Sequence, residues 1–453
     1  MEPVERPRYS CMLGGALATI SALPGVVPLI HGAQGCGGGL FNAFSLGGHL
    51  GAGYCGGTGI PSSNIGEKEV IFGGAKRLKT QIDSTLEVMD GELFVVLTAC
   101  MTDIIGEDVE AVIKEVDNPE NKPIIYVDTG GFQGKAYDGY DAIFSGLFKS
   151  YIPKGEKQEN LVNIFGQVPG YDPYFRGNLE ELKRLLESIG LEVNTFLTPD
   201  QSHENILNAG KAALNIVVSP IYGEKIALTA KETHDIDYIK TNLPIGAKAS
   251  AAFLKQIAAK LNIDNQIVDE VIAREKKIYY GYFDRITDFI ADTDIQSYGV
   301  VIGNSTDAFS YADYLENEIG FIPKYIFITD QLSDDNIEIL KNKFKEYNFG
   351  DRPELNFIQD TTAIRRYVEK QYEKSNQNND DFPEYTEDLS PLIVLGSSID
   401  YKLAQKFQGV LVPVSYPVFD VILNRGFVGF KGGNALLEYI INLQLRKEAK
   451  QVV

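Results

Sequence analysis

Apolar residues in this chain come in short unbroken runs, separated by longer stretches with helical spacing. Leu93-Phe94-Val95-Val96-Leu97-Thr98 and Pro123-Ile124-Ile125-Tyr126-Val127 have the length and β-branched content of strands buried on both faces. Between them Val109, Val112, Ile113 and Val116 recur at i, i+3, i+4 and i+7, the stripe of an amphipathic helix over 108–116. Strand, helix and strand in that order make a βαβ unit, which requires a parallel sheet with both faces covered.

The pattern then restarts twice. Strand-like runs at 161–165 and 214–218 flank a helical stretch at 179–189. A long helical stretch from Ala251 to about Ile290 follows the break Asn242-Leu243-Pro244-Ile245-Gly246. Further strands are predicted at 298–303, 324–328, 355–358 and 392–396, with a last helix at 434–445. The resulting fold class is α/β: three Rossmann-like, doubly wound domains with mainly parallel sheets. Their expected bounds are 1–155 together with the C-terminal helix 426–453, then 156–292, then 293–425. The acidic, Asn-rich stretch 373–388 is expected to be an exposed or disordered loop.

Composition narrows the function classes. A chain of 453 residues has room for about three domains. The formal charge of −20 argues against nucleic acid or an anionic membrane as the main partner. No run reaches the roughly 18 unbroken apolar residues of a membrane helix. Met1-Glu2-Pro3-Val4-Glu5-Arg6 lacks the basic and apolar regions of a secretory signal. A cytoplasmic location is the expectation, and there thiols are reduced ligands more often than disulfides.

The chain has four cysteines, at 11, 36, 55 and 100, all within its first 100 residues. Any one of them alone reads best as a buried structural thiol. Their bunching, and the setting His31-Gly32-Ala33-Gln34-Gly35-Cys36-Gly37-Gly38-Gly39, point instead to a soft-metal or iron–sulfur site built by Cys11, Cys36 and Cys100. Cys100 directly follows a predicted strand, at the sheet edge where ligands collect in open α/β folds. A helix starting near Thr102 would turn its amides toward thiolate charge. Cys55, in its own glycine-rich stretch, is a possible fourth ligand, though an unliganded thiol is the plainer reading. His31 is expected to hydrogen-bond within its loop rather than bind metal. His49, His203 and His234 lack partners at metal-binding spacing and read as packing or surface residues. Gly73-Gly74-Ala75-Lys76 resembles a fragment of a phosphate loop but lacks the full spacing, so no nucleotide is expected on this chain.

In combination these segments resemble the nitrogenase component 1 superfamily, and its beta-type subunits in particular, over nearly the whole chain. The family's His-Gly-Ser-Gln-Gly-Cys motif reads His31-Gly32-Ala33-Gln34-Gly35-Cys36 here, 25 residues after Cys11. Its serine-rich turn followed by Phe-Gly-Gly is similar to Ser62-Ser63-Asn64-Ile65-Gly66-Glu67 and Phe72-Gly73-Gly74. The stretch opened by its third cysteine is matched by Cys100-Met101-Thr102-Asp103-Ile104-Ile105-Gly106-Glu107-Asp108. Leu243-Pro244-Ile245-Gly246, Val414-Ser415-Tyr416-Pro417 and Val428-Gly429-Phe430-Lys431-Gly432-Gly433 resemble later family signatures.

The resemblance implies a subunit that pairs with a homologous alpha-like chain, as a heterotetramer, and receives electrons from an ATP-dependent iron–sulfur reductase. It implies an interfacial [8Fe-7S] cluster with Cys11, Cys36 and Cys100 as this chain's ligands. Two of the chain's departures from the family pattern bear on the site. No cysteine follows Cys100 and no histidine follows His234, so a catalytic cofactor is expected on the partner. The family's Thr-Pro-Ser-Phe turn reads Thr129-Gly130-Gly131-Phe132, which removes the serine oxygen. Two rivals stay open within the resemblance: a cofactor-assembly scaffold, and a reductase subunit of tetrapyrrole type with one [4Fe-4S] cluster, which Cys55 would suit. A metal-free binding module is the remaining alternative.

Overall fold

The computed structural model describes residues 8–49, 59–292, 297–350, 352–377 and 392–452. Cys55 and the part of the acidic stretch beyond residue 377 lie outside the described residues. Within them the strands form three sheets, and every neighbouring pair is parallel. The first contains β1 (Val26–His31), β2 (Leu93–Thr98) and β3 (Ile124–Val127), in the order β1-β2-β3. The second contains β4 (Gln158–Phe165), β5 (Glu192–Asn194), β6 (Ala212–Val217) and β7 (Asp237–Lys240), in the order β5-β4-β6-β7. The third contains β8 (Tyr298–Gly303), β9 (Ile322–Ile328), β10 (Glu354–Phe357), β11 (Leu392–Gly396) and β12 (Val410–Pro413), in the order β10-β9-β8-β11-β12. This is the α/β architecture that the apolar runs predict. In the third sheet the strand order reverses beside β8, the point where doubly wound folds open a crevice.

All six residues of β2 are buried, which is why its sequence is apolar throughout. β1, which the sequence reading passed over, contains Pro28. Proline cannot donate a ladder hydrogen bond, and β1 tolerates it as an outer strand of its sheet. The long helical stretch is two helices, Gly246–Leu261 and Asn265–Asp292. Asn262, in the left-handed conformation at φ +56, closes the first of them.

The helix Met12–Ala22 lies against Ala136–Ser150. A side chain at Gly15 would meet the backbone of Ala136, and one at Gly139 the backbone of Met12 and Ala16, so the two helices touch main chain to main chain. The C-terminal helix, expected to go with the first domain, makes its main contacts elsewhere. Gly429–Val452 lies on Gly246–Leu261, Asn265–Asp292, Phe175–Glu187 and β12. Its Leu436, Leu437, Ile440 and Ile441 join the core beneath the third sheet, which fixes where it docks. No helix among the described residues is long and apolar enough to cross a membrane.

Candidate metal centre

Cys36 and Cys100 occupy loops at the carboxyl ends of adjacent strands. β1 and β2 pair in register, His31 opposite Thr98, so the chain leaves both strands at one level. After β1 it passes into a short turn, Gln34–Gly37, that carries Cys36. After β2 it enters the helix Cys100–Ile105, which starts at Cys100 itself, two residues earlier than the sequence suggested. Thr102 ties the loops together: its Oγ1 accepts from Ala99 N at 3.0 Å and lies 3.0 Å from the His31 carbonyl to which it donates. Cys11 is the N-cap residue of Met12–Ala22 and bridges Lys135 on the neighbouring connection.

Three loops therefore converge. A Cβ placed on Gly131 would lie 2.6 Å from Cys100 Sγ, 3.4 Å from Cys11 Cβ and 4.0 Å from Cys11 Sγ. Only glycine leaves Cys100 Sγ room at that position. Burial pushes the Cys36 thiol up, and the neighbouring sulfurs of Cys11 and Cys100 push it further. Among the described residues, no atom beyond the chain neighbours and the local helix backbone lies within 4 Å of where a side chain on Gly35 or Gly38 would begin. Cys11 is exposed, and Cys36 and Cys100 are partly so. Among the described residues, no three His, Cys, Asp or Glu side chains gather closely enough to hold a single ion.

His31 makes two hydrogen bonds, and neither stays within its own loop. Its Nδ1 lies 2.9 Å from Ser63 Oγ and its Nε2 2.6 Å from Glu107 Oε2. Burial lowers its pKa while Glu107 opposes the shift, so a neutral ring donating to Glu107 and accepting from Ser63 fits both partners. The other Glu107 oxygen accepts from the amides of Gly74 and Ala75, where the helix Ala75–Val88 begins. The segment that resembled a phosphate loop thus spends these amides on a carboxylate of its own chain. Glu107 and Ser63 are contributors that sequence reasoning missed as partners; Gly106-Glu107-Asp108 marked a motif, but nothing local names a histidine far upstream. His203 pairs with Tyr151 Oη at 2.6 Å, and His234 with the Ile152 carbonyl at 3.0 Å, both as packing residues. His49 is buried between Phe44 and Phe175, and burial, then Arg176, pull its pKa down to about 4.

Several apolar side chains are exposed near the cysteines. Ile104 on the Cys100 helix is 70 % exposed and Phe132, next to Gly131, 75 %. Ile71 and Phe72 are exposed on the helix Glu67–Phe72, which packs against the Cys100 helix. Behind the cysteines the junction of the three sheets is filled by Tyr9, Tyr137, Tyr171, Tyr222 and Tyr416, with the buried acids Asp172 and Asp330.

The profile of the family described as nitrogenase component 1 type oxidoreductase matches residues 11–445. The nitrogenase molybdenum-iron protein beta chain of Sinorhizobium fredii is 23% identical over 465 residues, covering 97% of this chain and 83% of that protein. The nitrogenase vanadium-iron protein beta chain of Trichormus variabilis is 28% identical over 329 residues, 66% of this chain and 68% of that one. The nitrogenase iron-molybdenum cofactor biosynthesis protein NifE of Clostridium pasteurianum is 28% identical over 273 residues, 59% of this chain and 58% of that one. Among solved structures, nitrogenase Cp1 at pH 6.5 superposes with a TM-score of 0.77 at 18% identity, over 98% of this chain and 95% of that one.

Proposed function

The chain belongs to the nitrogenase component 1 type oxidoreductases, as a beta-like member, and we propose that it is the electron-relay subunit of a nitrogenase-type reductase in the cytoplasm. In this reading Cys11, Cys36 and Cys100 hold an iron–sulfur cluster, [8Fe-7S] in preference to [4Fe-4S], on a face shared with an alpha-like partner in a heterotetramer. When bound, the cluster would supply one-electron chemistry at low potential, between an ATP-dependent iron–sulfur reductase and a cofactor on the partner.

One observation carries the reading: the sulfurs of Cys11 and Cys100 lie beside Gly131, where any side chain would displace Cys100 Sγ, and both are close enough to Cys36 to push its thiol up. In a cluster each thiolate takes a different iron, which accommodates sulfurs carried on separate loops. The chain's own residues hold and orient the thiols. Thr102 locks the Cys100 loop to the end of β1, and His31 and Glu107 brace the Cys36 strand against the helix Ala75–Val88. The apolar surface of Ile71, Phe72, Ile104 and Phe132 supports a partner covering this face, because water-exposed apolar patches mark interaction sites. The tyrosine-filled junction supports placing the catalytic cofactor on the partner, as does the lack of any cysteine beyond Cys100.

The similarity to NifE favours one second reading, a cofactor-assembly scaffold with the same fold. Anaerobic co-purification with the alpha-like partner decides between them. The relay reading expects about eight iron atoms per pair for this cluster, over and above any iron of the partner's cofactor, a cluster signal in electron paramagnetic resonance, and substrate reduction with reductase and ATP. Release of a bound precursor without turnover would select the scaffold. A metal-free complex would remove both.

A further inference from the structure

The residues just before Cys11 are fastened far from the loops that carry the other two thiols. Arg8 is buried, and its guanidinium grips Asp400 with two nitrogens, Nη2 to Oδ1 at 2.6 Å and Nη1 to Oδ2 at 3.1 Å. Nη1 also donates to Ser397 Oγ at 2.5 Å. Both side chains of the ion pair are 1 % exposed. Tyr9 Oη meets Thr329 Oγ1 at 2.9 Å, while its ring stacks on Tyr416. Ser10 bonds Tyr171 through their hydroxyls.

Ser397 and Asp400 follow β11, and Thr329 follows β9. These strands lie on either side of β8, so Arg8 and Tyr9 span the carboxyl end of the third sheet at its reversal of strand order. A crevice of this kind ordinarily takes a ligand. Here it takes an arginine of the same chain.

We infer that Arg8 is a positioning residue for Cys11: its buried pair with Asp400 anchors Cys11 to the third sheet, whereas Cys36 and Cys100 are carried by the first. Cys11 is the N-cap of its helix and makes no capping bond through its side chain, so the helix sets its carbonyl and the anchored segment sets its approach. A shift of the third sheet against the first would then move Cys11 relative to Cys36 and Cys100. The guanidinium fork matters because a lysine carries the charge without the paired bonds. This inference rests on the cluster reading proposed above.

The test uses the chain purified anaerobically with its partner, as wild type, Arg8→Lys, Arg8→Ala and the exchange Arg8→Asp/Asp400→Arg. Iron release to a ferrous chelator should speed up about tenfold in Arg8→Lys, the effect expected when an outer partner of a metal ligand is lost. The resonance line shape should change with it, the melting temperature should stay near wild type, and the exchange should slow release again. Unchanged release and line shape in both Arg8→Lys and Arg8→Ala overturn the inference.

A second arm needs no iron. In the metal-free chain a diazenedicarboxamide oxidant converts two thiols to a disulfide and is itself reduced to the hydrazine, taking both protons and both electrons. Formation of the Cys11–Cys100 disulfide, mapped by mass spectrometry, should slow in Arg8→Ala and recover in the exchange; equal rates in wild type and Arg8→Ala overturn the anchoring. If the wild-type complex holds no iron, the cluster reading fails while this arm still judges the anchor.

Discussion

Glu107 Oε2 stands 2.6 Å from His31 Nε2, across 76 residues of chain, and its other oxygen caps the helix Ala75–Val88. One carboxylate therefore braces the strand leading to Cys36 and starts a helix. Glu107→Ala leaves the imidazole and two amides without a partner, at an expected cost of about 2–3 kcal/mol. Glu107→Gln keeps one accepting oxygen and should cost less. Urea unfolding at neutral pH measures both, and equal midpoints for Glu107→Ala and wild type would rule out the brace.

Cys36→Ala is expected to abolish bound iron and the cluster signal while the chain still folds, because Cys36 is only partly buried. Cys11→Ala and Cys100→Ala should do the same. An unchanged spectrum in all three variants would return the chain to the class of metal-free binding modules.

Gly131→Ala tests the room beside the sulfurs. The added Cβ would lie 2.6 Å from Cys100 Sγ, well inside contact distance, so the thiol must swing away. Iron content should fall sharply with little change in melting temperature. Full iron loading of Gly131→Ala would show that Cys100 does not use that space.

Asp172 is buried at the junction of the sheets and pushed up to about 7 by burial, against the bonds from Val168 N, Asn304 and Tyr137. In the unfolded chain it ionises near 4. Between these values the native state binds the extra proton, so this group's contribution falls as pH rises from about 4 to about 7, by at most about 1.4 kcal/mol per pH unit. Asp172→Asn should flatten that part of the pH dependence in denaturant unfolding, and identical slopes for variant and wild type would contradict the assignment.

Much of this molecule is legible in its sequence. Strands such as β2 and β11 announce themselves because burial on both faces demands unbroken apolar runs. The cysteines are legible through their bunching and their glycines. β1 is hidden by Pro28, since a proline inside a run argues against a strand unless the strand is known to lie at an edge. The break at Asn262 is hidden too, because one residue of left-handed backbone leaves the apolar spacing on either side intact. The braces are hidden for another reason. Glu107 meets His31, and Arg8 meets Asp400, through the assembled fold, and no local period encodes a partner 76 or 392 residues away.

The crossing of Gly15 and Gly139 makes two helices behave as one stiff rod. With no side chains between the backbones there is nothing soft to absorb a displacement. Ala136–Ser150 also lies against the helix Glu224–His234, which belongs with the second sheet. The placing of a sulfur at one edge of the molecule therefore depends in part on the tightness of a core well away from it.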